Sequence, residues 1–157
     1  MSEPSEELLS KRRLRAWLRM LGVARQVENH LREFLRVEHA TTLPRFDVMA
    51  ALHASGGPMS MSELSRRLLV SNGNATAVVD RLERDGLARR TPAPDDRRTV
   101  HVALTELGHR RFEDLAADHE HEVNKLLAGL RAEDLDALRG VMHRLRPGSG
   151  TVPEKKG

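Results

Sequence analysis

The sequence predicts a mainly α-helical chain with one small β-hairpin: a winged helix-turn-helix set between N- and C-terminal helices that form a dimerisation region. Three observations carry this. Apolar residues recur at helical spacing through both ends of the chain, and two short helical segments meet across a very tight turn near Val70 and Ser71. Directly afterwards the period changes to two over "TVHVALT", Thr99 to Thr105.

The first element runs from Ser5 to about Glu38 without an internal proline, with Leu14, Leu18, Leu21, Val27, Leu31 and Leu35 at roughly helical spacing. Ser5 is placed to cap it ahead of Glu6 and Glu7, whose charges suit a helix N-terminus. A second helix follows Thr42 as cap, tolerates Pro44 in its first turn and stops at Gly56, Gly57 and Pro58. Phe46, Met49, Ala50 and Leu52 are its expected buried side. A short third helix is expected from Ser62, with Leu64, Leu68 and Leu69 pointing inward, and a fourth from Ser71 to the helix-ending Gly86. "LARRT" and "TVHVALT" then read as two strands around the charged loop "PAPDDRR". A long amphipathic helix from Thr105 carries Phe112, Leu115, Val123, Leu126 and Leu127 and breaks near Gly129. A last helix uses Leu135, Leu138, Val141, Met142 and Leu145, and ends at Pro147.

Composition narrows the partner. The chain has 157 residues, 31% charged, with a net charge of +3 and 26 Lys and Arg, nearly all arginine. Arginine's planar fork suits phosphates and base edges. No apolar run approaches a membrane span and no secretory signal is visible, so a soluble cytoplasmic protein is expected. With no cysteine, disulfides, thiolate metal sites and thiol redox sensing are excluded.

The fourth helix opens on "SNGNATAVVDRLERDG", residues that usually weaken helices. Ser71 caps it, and Ala75, Val78 or Val79, and Leu82 hold its inner face. Asn72, Gly73, Asn74, Thr76 and Ala77 are left on the outer face of the first turns. A helix entering the major groove by its N-terminal end needs small residues for close approach and amides that pair with base edges. Arg81 and Arg84, farther along, suit backbone phosphates, and Arg97 and Arg98 make a basic hairpin tip. Double-stranded DNA is therefore the expected partner. The arm helices present more apolar stripe than a small lobe can cover, which implies a homodimer.

"DDRRTVHVALTELG" resembles the wing motif of the MarR family of bacterial transcription regulators, with Asp96, Arg98, Leu104, Thr105 and Gly108 in the family pattern. The similarity runs from about residue 10 to 146. It implies a homodimer whose terminal helices intertwine, each lobe facing half of a palindrome, with Arg98 reaching the minor groove beside Arg97 and Asp96 holding the wing by ion pairing. The organisation then reads as a flexible N-terminus (1–7), a dimerisation helix (8–40), the DNA-binding lobe (41–108), C-terminal dimerisation helices (109–146) and a disordered tail (147–157).

"TTLPRFDVMAAL", together with "MSELSRRLLVSNGNATAVVDRLERDG", is similar to the branch controlling aromatic catabolism, in particular repressors of hydroxycinnamate genes that respond to a CoA thioester such as p-coumaroyl-CoA. It implies a small aromatic ligand, or its CoA thioester, bound between arms and lobe, with Trp17, Arg25, Asn29, Arg45, Phe46, Met49, His53 and Phe112 as lining residues. Between Lys11 and Arg25 stand six positive residues and no acid, which suits CoA phosphates or a plain solvated face.

Other chemistry is thin. In "HEHE", His119 and His121 point apart on a helix and the i, i+4 histidine pair of a zinc site is absent, so no metal and no cofactor are expected. No nucleophile elbow or glycine-rich phosphate loop is present, and an enzyme is not expected. The alternative is a helical module using the winged lobe to bind protein, which salt separates from DNA binding.

Overall fold

The computed structural model describes residues 4–145. The expected disordered tail, 147–157, lies outside the described residues. The order is α1 (Pro4–His39), α2 (Leu43–Ser55), β1 (Met59–Ser60), α3 (Met61–Leu68), α4 (Asn72–Arg84), β2 (Ala88–Pro92), β3 (Val100–Leu104), α5 (Glu106–Leu126) and α6 (Ala132–Arg144). The chain divides after Val123 into two units, the first reaching from α1 into α5 and the second holding the end of α5 and α6.

Helix α1 starts at Pro4, so the expected cap Ser5 and residues 6 and 7 belong to its first turns, and the rest of the segment expected to be flexible, 1–3, lies outside the described residues. Its C-terminal part is anchored through Leu31 and Leu35, which are buried, while Leu14, Trp17 and Leu18 in the N-terminal half are exposed. Helix α2 keeps the expected signals. Thr42 accepts a hydrogen bond from the Arg45 N–H at 3.3 Å, and Gly56 closes the helix in the left-handed region at φ 67°. Leu43, Phe46, Val48, Met49, Ala51 and Leu52 are buried, and Ala50 is half-buried.

The turn into α3 is where sequence and structure differ most. Ser60, not a residue after it, caps the helix: its hydroxyl accepts from the Glu63 N–H at 3.1 Å, and the Glu63 carboxylate accepts from the Ser60 N–H at 2.9 Å. The helix ends at Leu68, and Leu69 takes φ 55°, which turns its side chain outward to 92% exposure. The expected inward Leu69 is thus corrected, because the chain must reverse here to start α4 and the left-handed residue swings off the buried stripe. Leu64 is buried, as expected, and Leu68 packs against the core from a half-buried position.

Met59 and Ser60 also form a strand, β1, which pairs antiparallel with Val102 and His101 of β3. Two residues carry no period-2 signal. The sheet order is β1-β3-β2, so β2 is a wing edge strand with Ala88 opposite Leu104 and Arg90 opposite Val102. The core gathers Leu35, Phe46, Met49, Leu52, Leu64, Val79, Leu82, Val102, Phe112 and Leu115.

Two motif residues lock the wing to α5. Thr105 donates through its hydroxyl to the Gly86 carbonyl at 2.7 Å and accepts from the Gly108 N–H at 3.0 Å. A Cβ on Gly108 would stand 2.0 Å from the Leu87 carbonyl oxygen, so only glycine fits this approach. In the second unit, α6 has no buried residue and exposes Leu135, Leu138, Val141, Met142 and Leu145.

Candidate nucleic-acid interface

Helix α4 is built to be held on one side and bare on the other. Ser71 accepts from the Asn74 N–H at 3.2 Å, which satisfies one of the free donors of the first turn. Ala75, Val79 and Leu82 are buried against the lobe. At 100° per residue the opposite face falls on Gly73, Ala77, Asp80 and Arg84, all exposed. A Cβ added at Gly73 would meet nothing within 4 Å. Glycine at this helical position costs about 0.5–1 kcal/mol relative to alanine, and no packing inside the chain requires it.

The expected contact residues divide between two flanks. Asn74 and Arg81 share one flank, along a groove of about 330 Å³ that Pro44, Asp47, Val48, Leu68, Val70 and Val78 also line. Asn72, Thr76 and Glu83 lie on the other flank, toward the wing. Crowding by the surrounding protein raises the carboxyl of Asp47 above its ordinary value, with the like charge of Glu28 adding to the rise.

At the wing tip Asp96 accepts from the Arg98 N–H at 2.9 Å and from the Thr99 hydroxyl at 3.1 Å. The expected ion pair is therefore corrected: Asp96 folds the tip through a backbone turn, because its carboxylate faces the chain two and three residues on. The charges of Arg97 and Arg98 stay exposed, and among the described residues neither has an ion-pair partner, nor do Arg81 and Arg84.

The residues expected around an effector separate into groups. Phe46, Met49 and Phe112 are buried core residues, and His53 joins them, its ring 4.8 Å from that of Phe112 and its Nδ1 3.1 Å from Nδ1 of His109. Arg45 is bound to Asp85 just past α4. Trp17, Arg25 and Asn29 are exposed on α1, with Trp17 about 18 Å of helix rise from Asn29. Asn29 accepts from Arg32 at 2.8 Å. On the same helix Arg12, Arg15 and Arg19 fall on one stripe by their spacing, exposed and without an ion pair among the described residues.

Of the "HEHE" side chains, His119 and Glu122 turn toward the protein, while Glu120 and His121 are exposed. His119 stacks on Phe46 at 4.3 Å, and burial holds its imidazole below the ordinary histidine range. Glu122 lies 2.6 Å from Nε2 of His30. No cluster of three metal-capable residues is arranged for a metal among the described residues. No described helix is long and apolar enough to cross a membrane.

Sequence reasoning missed Arg90. It stands on β2 within ion-pair distance of Asp80, at 2.6 Å, and Glu83, at 3.3 Å, both on α4. The signal was present as two acids three residues apart followed by an inward strand position, but it needed the strand register to be seen.

Residues 41–99 match the model of the MarR family. Over 101 residues the chain is 32% identical to the uncharacterized HTH-type transcriptional regulator YkoM of Bacillus subtilis, covering 64% of this chain and 65% of that protein. Over 102 residues it is 31% identical to the HTH-type transcriptional regulator PecS of Dickeya dadantii, covering 64% of this chain and 61% of that protein. The aligned segment thus spans a little under two thirds of each relative. A cysteine-to-serine mutant of MarR from E. coli, complexed with operator DNA, has a TM-score of 0.72 at 25% identity, covering 93% of this chain and 100% of that one. YkoM and PecS are both named as HTH-type transcriptional regulators.

Proposed function

From the match of residues 41–99 to the MarR family model we propose a DNA-binding transcription regulator of that family, a homodimer that represses from a palindromic operator until a small ligand releases it. The observation that carries the reading is Gly73. A helix that gives up stability at an exposed position with open space around it, flanked by Asn72, Asn74 and Thr76, is shaped for a close external partner. The unpaired Arg97 and Arg98 supply the phosphate or minor-groove contact that such a helix needs beside it.

A second copy of the chain is the partner that the exposed apolar residues of α1 and, separately, of α6 call for. Half-sites about one helical turn apart follow from a two-fold dimer. For the effector, the absence of cysteine removes thiol oxidation as the signal. A small aromatic acid, or its CoA thioester, fits the aromatic group around Phe46, His53 and Phe112 if a dimer arm shifts to admit it. The stripe of Arg12, Arg15 and Arg19 suits the phosphates of a CoA tail.

The test selects duplexes from a random library with the full chain, then titrates the complex with p-coumaroyl-CoA, free p-coumarate and CoA. The expected result is a dimer on a palindromic duplex, with affinity falling steeply as salt rises, and release by the thioester alone. A monomer that enriches no duplex overturns the DNA reading and favours a protein-binding module. Release by the free acid as readily as by the thioester overturns the thioester.

A further inference from the structure

Strand alternation puts Ala88 and Arg90 on the side of β2 that packs against α4, with Arg89 and Thr91 on the other. Ala88 fills the core. Arg90 instead reaches across to the recognition helix: Nη2 lies 2.6 Å from Asp80 Oδ1 and donates to the Thr76 carbonyl at 3.4 Å, while Nη1 donates to Glu83 Oε1 at 3.3 Å. Its backbone N–H donates to the other Glu83 oxygen at 2.8 Å. Thr76, Asp80 and Glu83 follow at spacings of four and three, so they form one stripe of α4. All these contacts join one strand residue to one flank of one helix.

We propose that Arg90 is a positioning residue that sets the angle between the recognition helix and the wing, and with it the register in which the two meet neighbouring grooves of one duplex. The inference rests on the DNA-binding reading above. Its first support is mechanical. The base of the hairpin is fixed by Ala88 in the core and by Thr105 against Gly86, and two residues farther out Arg90 adds a planar guanidinium engaged by two carboxylates, which restrains both the distance and the direction of the outer wing from α4. Its second support is electrostatic. Asp80 and Glu83 lie on the helix that faces phosphates, where bare carboxylates repel them, and Arg90 offsets that charge without leaving the protein. The side chain of Arg90 is only 24% exposed, and both its Nη groups are already engaged within the chain. Arg97 and Arg98 at the tip are exposed and unpaired, so the phosphate contacts belong to them and the alignment belongs to Arg90.

The decisive variant is Arg90→Gln combined with Asp80→Asn, which removes the clamp and leaves the net charge of the site unchanged. Wild type, this double variant and Arg90→Lys are compared on a duplex enriched by the wild type from a random library and on a scrambled duplex of the same length, across salt. Hydrogen exchange of the β2 and β3 amides is followed without DNA. In the double variant, preference for the enriched duplex over the scrambled one falls at least about tenfold. Its scrambled-duplex affinity and salt slope stay as in the wild type, and the β2 amides exchange faster. Arg90→Lys, with charge but no fork, keeps scrambled-duplex affinity and recovers only part of the preference. The proposal is overturned if the double variant discriminates like the wild type with unchanged exchange. It is equally overturned if both duplexes lose affinity alike and the salt slope flattens, since that marks Arg90 as a phosphate contact. A wild type that enriches no duplex sinks the DNA reading instead, and the exchange data then still report whether Arg90 holds the wing to α4.

Discussion

Gly73 and His119 show how single residues trade stability against something else. Gly73→Ala has room for its methyl and relieves a helix-weakening residue, so unfolding should cost about 0.5–1 kcal/mol more by chemical denaturation. In the proposed complex the same methyl stands where a base edge or sugar approaches, so affinity for the enriched duplex should fall as stability rises. A variant that is both more stable and an equal binder would contradict the role assigned to the helix face. His119 lies stacked on Phe46, and burial lowers its folded pKa. The unfolded chain then binds a proton that the folded chain resists, so stability is lost as pH falls below the ordinary value of 6.5 and levels off below the folded pKa. Denaturation curves of wild type and His119→Phe across that window should diverge toward low pH, with the variant losing less.

At the scale of elements, the work of recognition is divided, in the proposed complex, between α4 and the wing. Asn74 is on the flank of α4 beside Arg81, where an amide can pair with a base edge, whereas Arg98 is carried at the tip of a hairpin turn held by Asp96. Asn74→Ala should reduce discrimination at one or two base pairs by about 1–3 kcal/mol, read from a panel of single-site operator variants. Arg98→Ala should weaken all sequences together and lower the salt slope by about 0.9 for each phosphate that the protein no longer neutralises. An Arg98→Ala protein with an unchanged slope would show that the wing tip neutralises no phosphate. The helix turn itself was only partly legible. Ser71 and the apolar stripe of α4 are plain in the sequence, but the cap at Ser60 and the outward Leu69 depend on where α3 stops, and that is decided by the left-handed residue that joins it to α4.

For the whole molecule, the exposed half of α1 is the feature that a single chain leaves unexplained. Leu14 and Leu18, one turn apart, are exposed, with Trp17 beside them at 54%. Replacing Leu14 and Leu18 by Glu should leave the fold within about 0.5 kcal/mol per site, as expected of exposed positions, while sedimentation shifts from dimer to monomer and duplex affinity collapses with it. A variant that stays dimeric would mean that the α1 stripe is covered by something other than a second copy.

The sequence by itself determined the helix periods, the caps at Thr42 and Ser71, the hairpin and the bare first turns of α4, because each is written in neighbours a few residues apart. Thr105 and Gly108 were readable as a pattern, but their reason is tertiary: a hydroxyl and a missing Cβ that let α5 close onto Gly86 and Leu87. Strand β1 is too short to announce itself and exists only because β3 is there to pair with it. The same holds for Arg90, whose partners lie seven and ten residues back on another element. Phe46, His53 and Phe112 were legible as aromatic or apolar, but whether such side chains fill a core or line a cavity depends on what packs against them, and in the single chain they pack against one another. Local chemistry is carried by spacing along the chain. Which side chains meet across elements is settled only when the strand register and the helix packing fix distances that no spacing encodes.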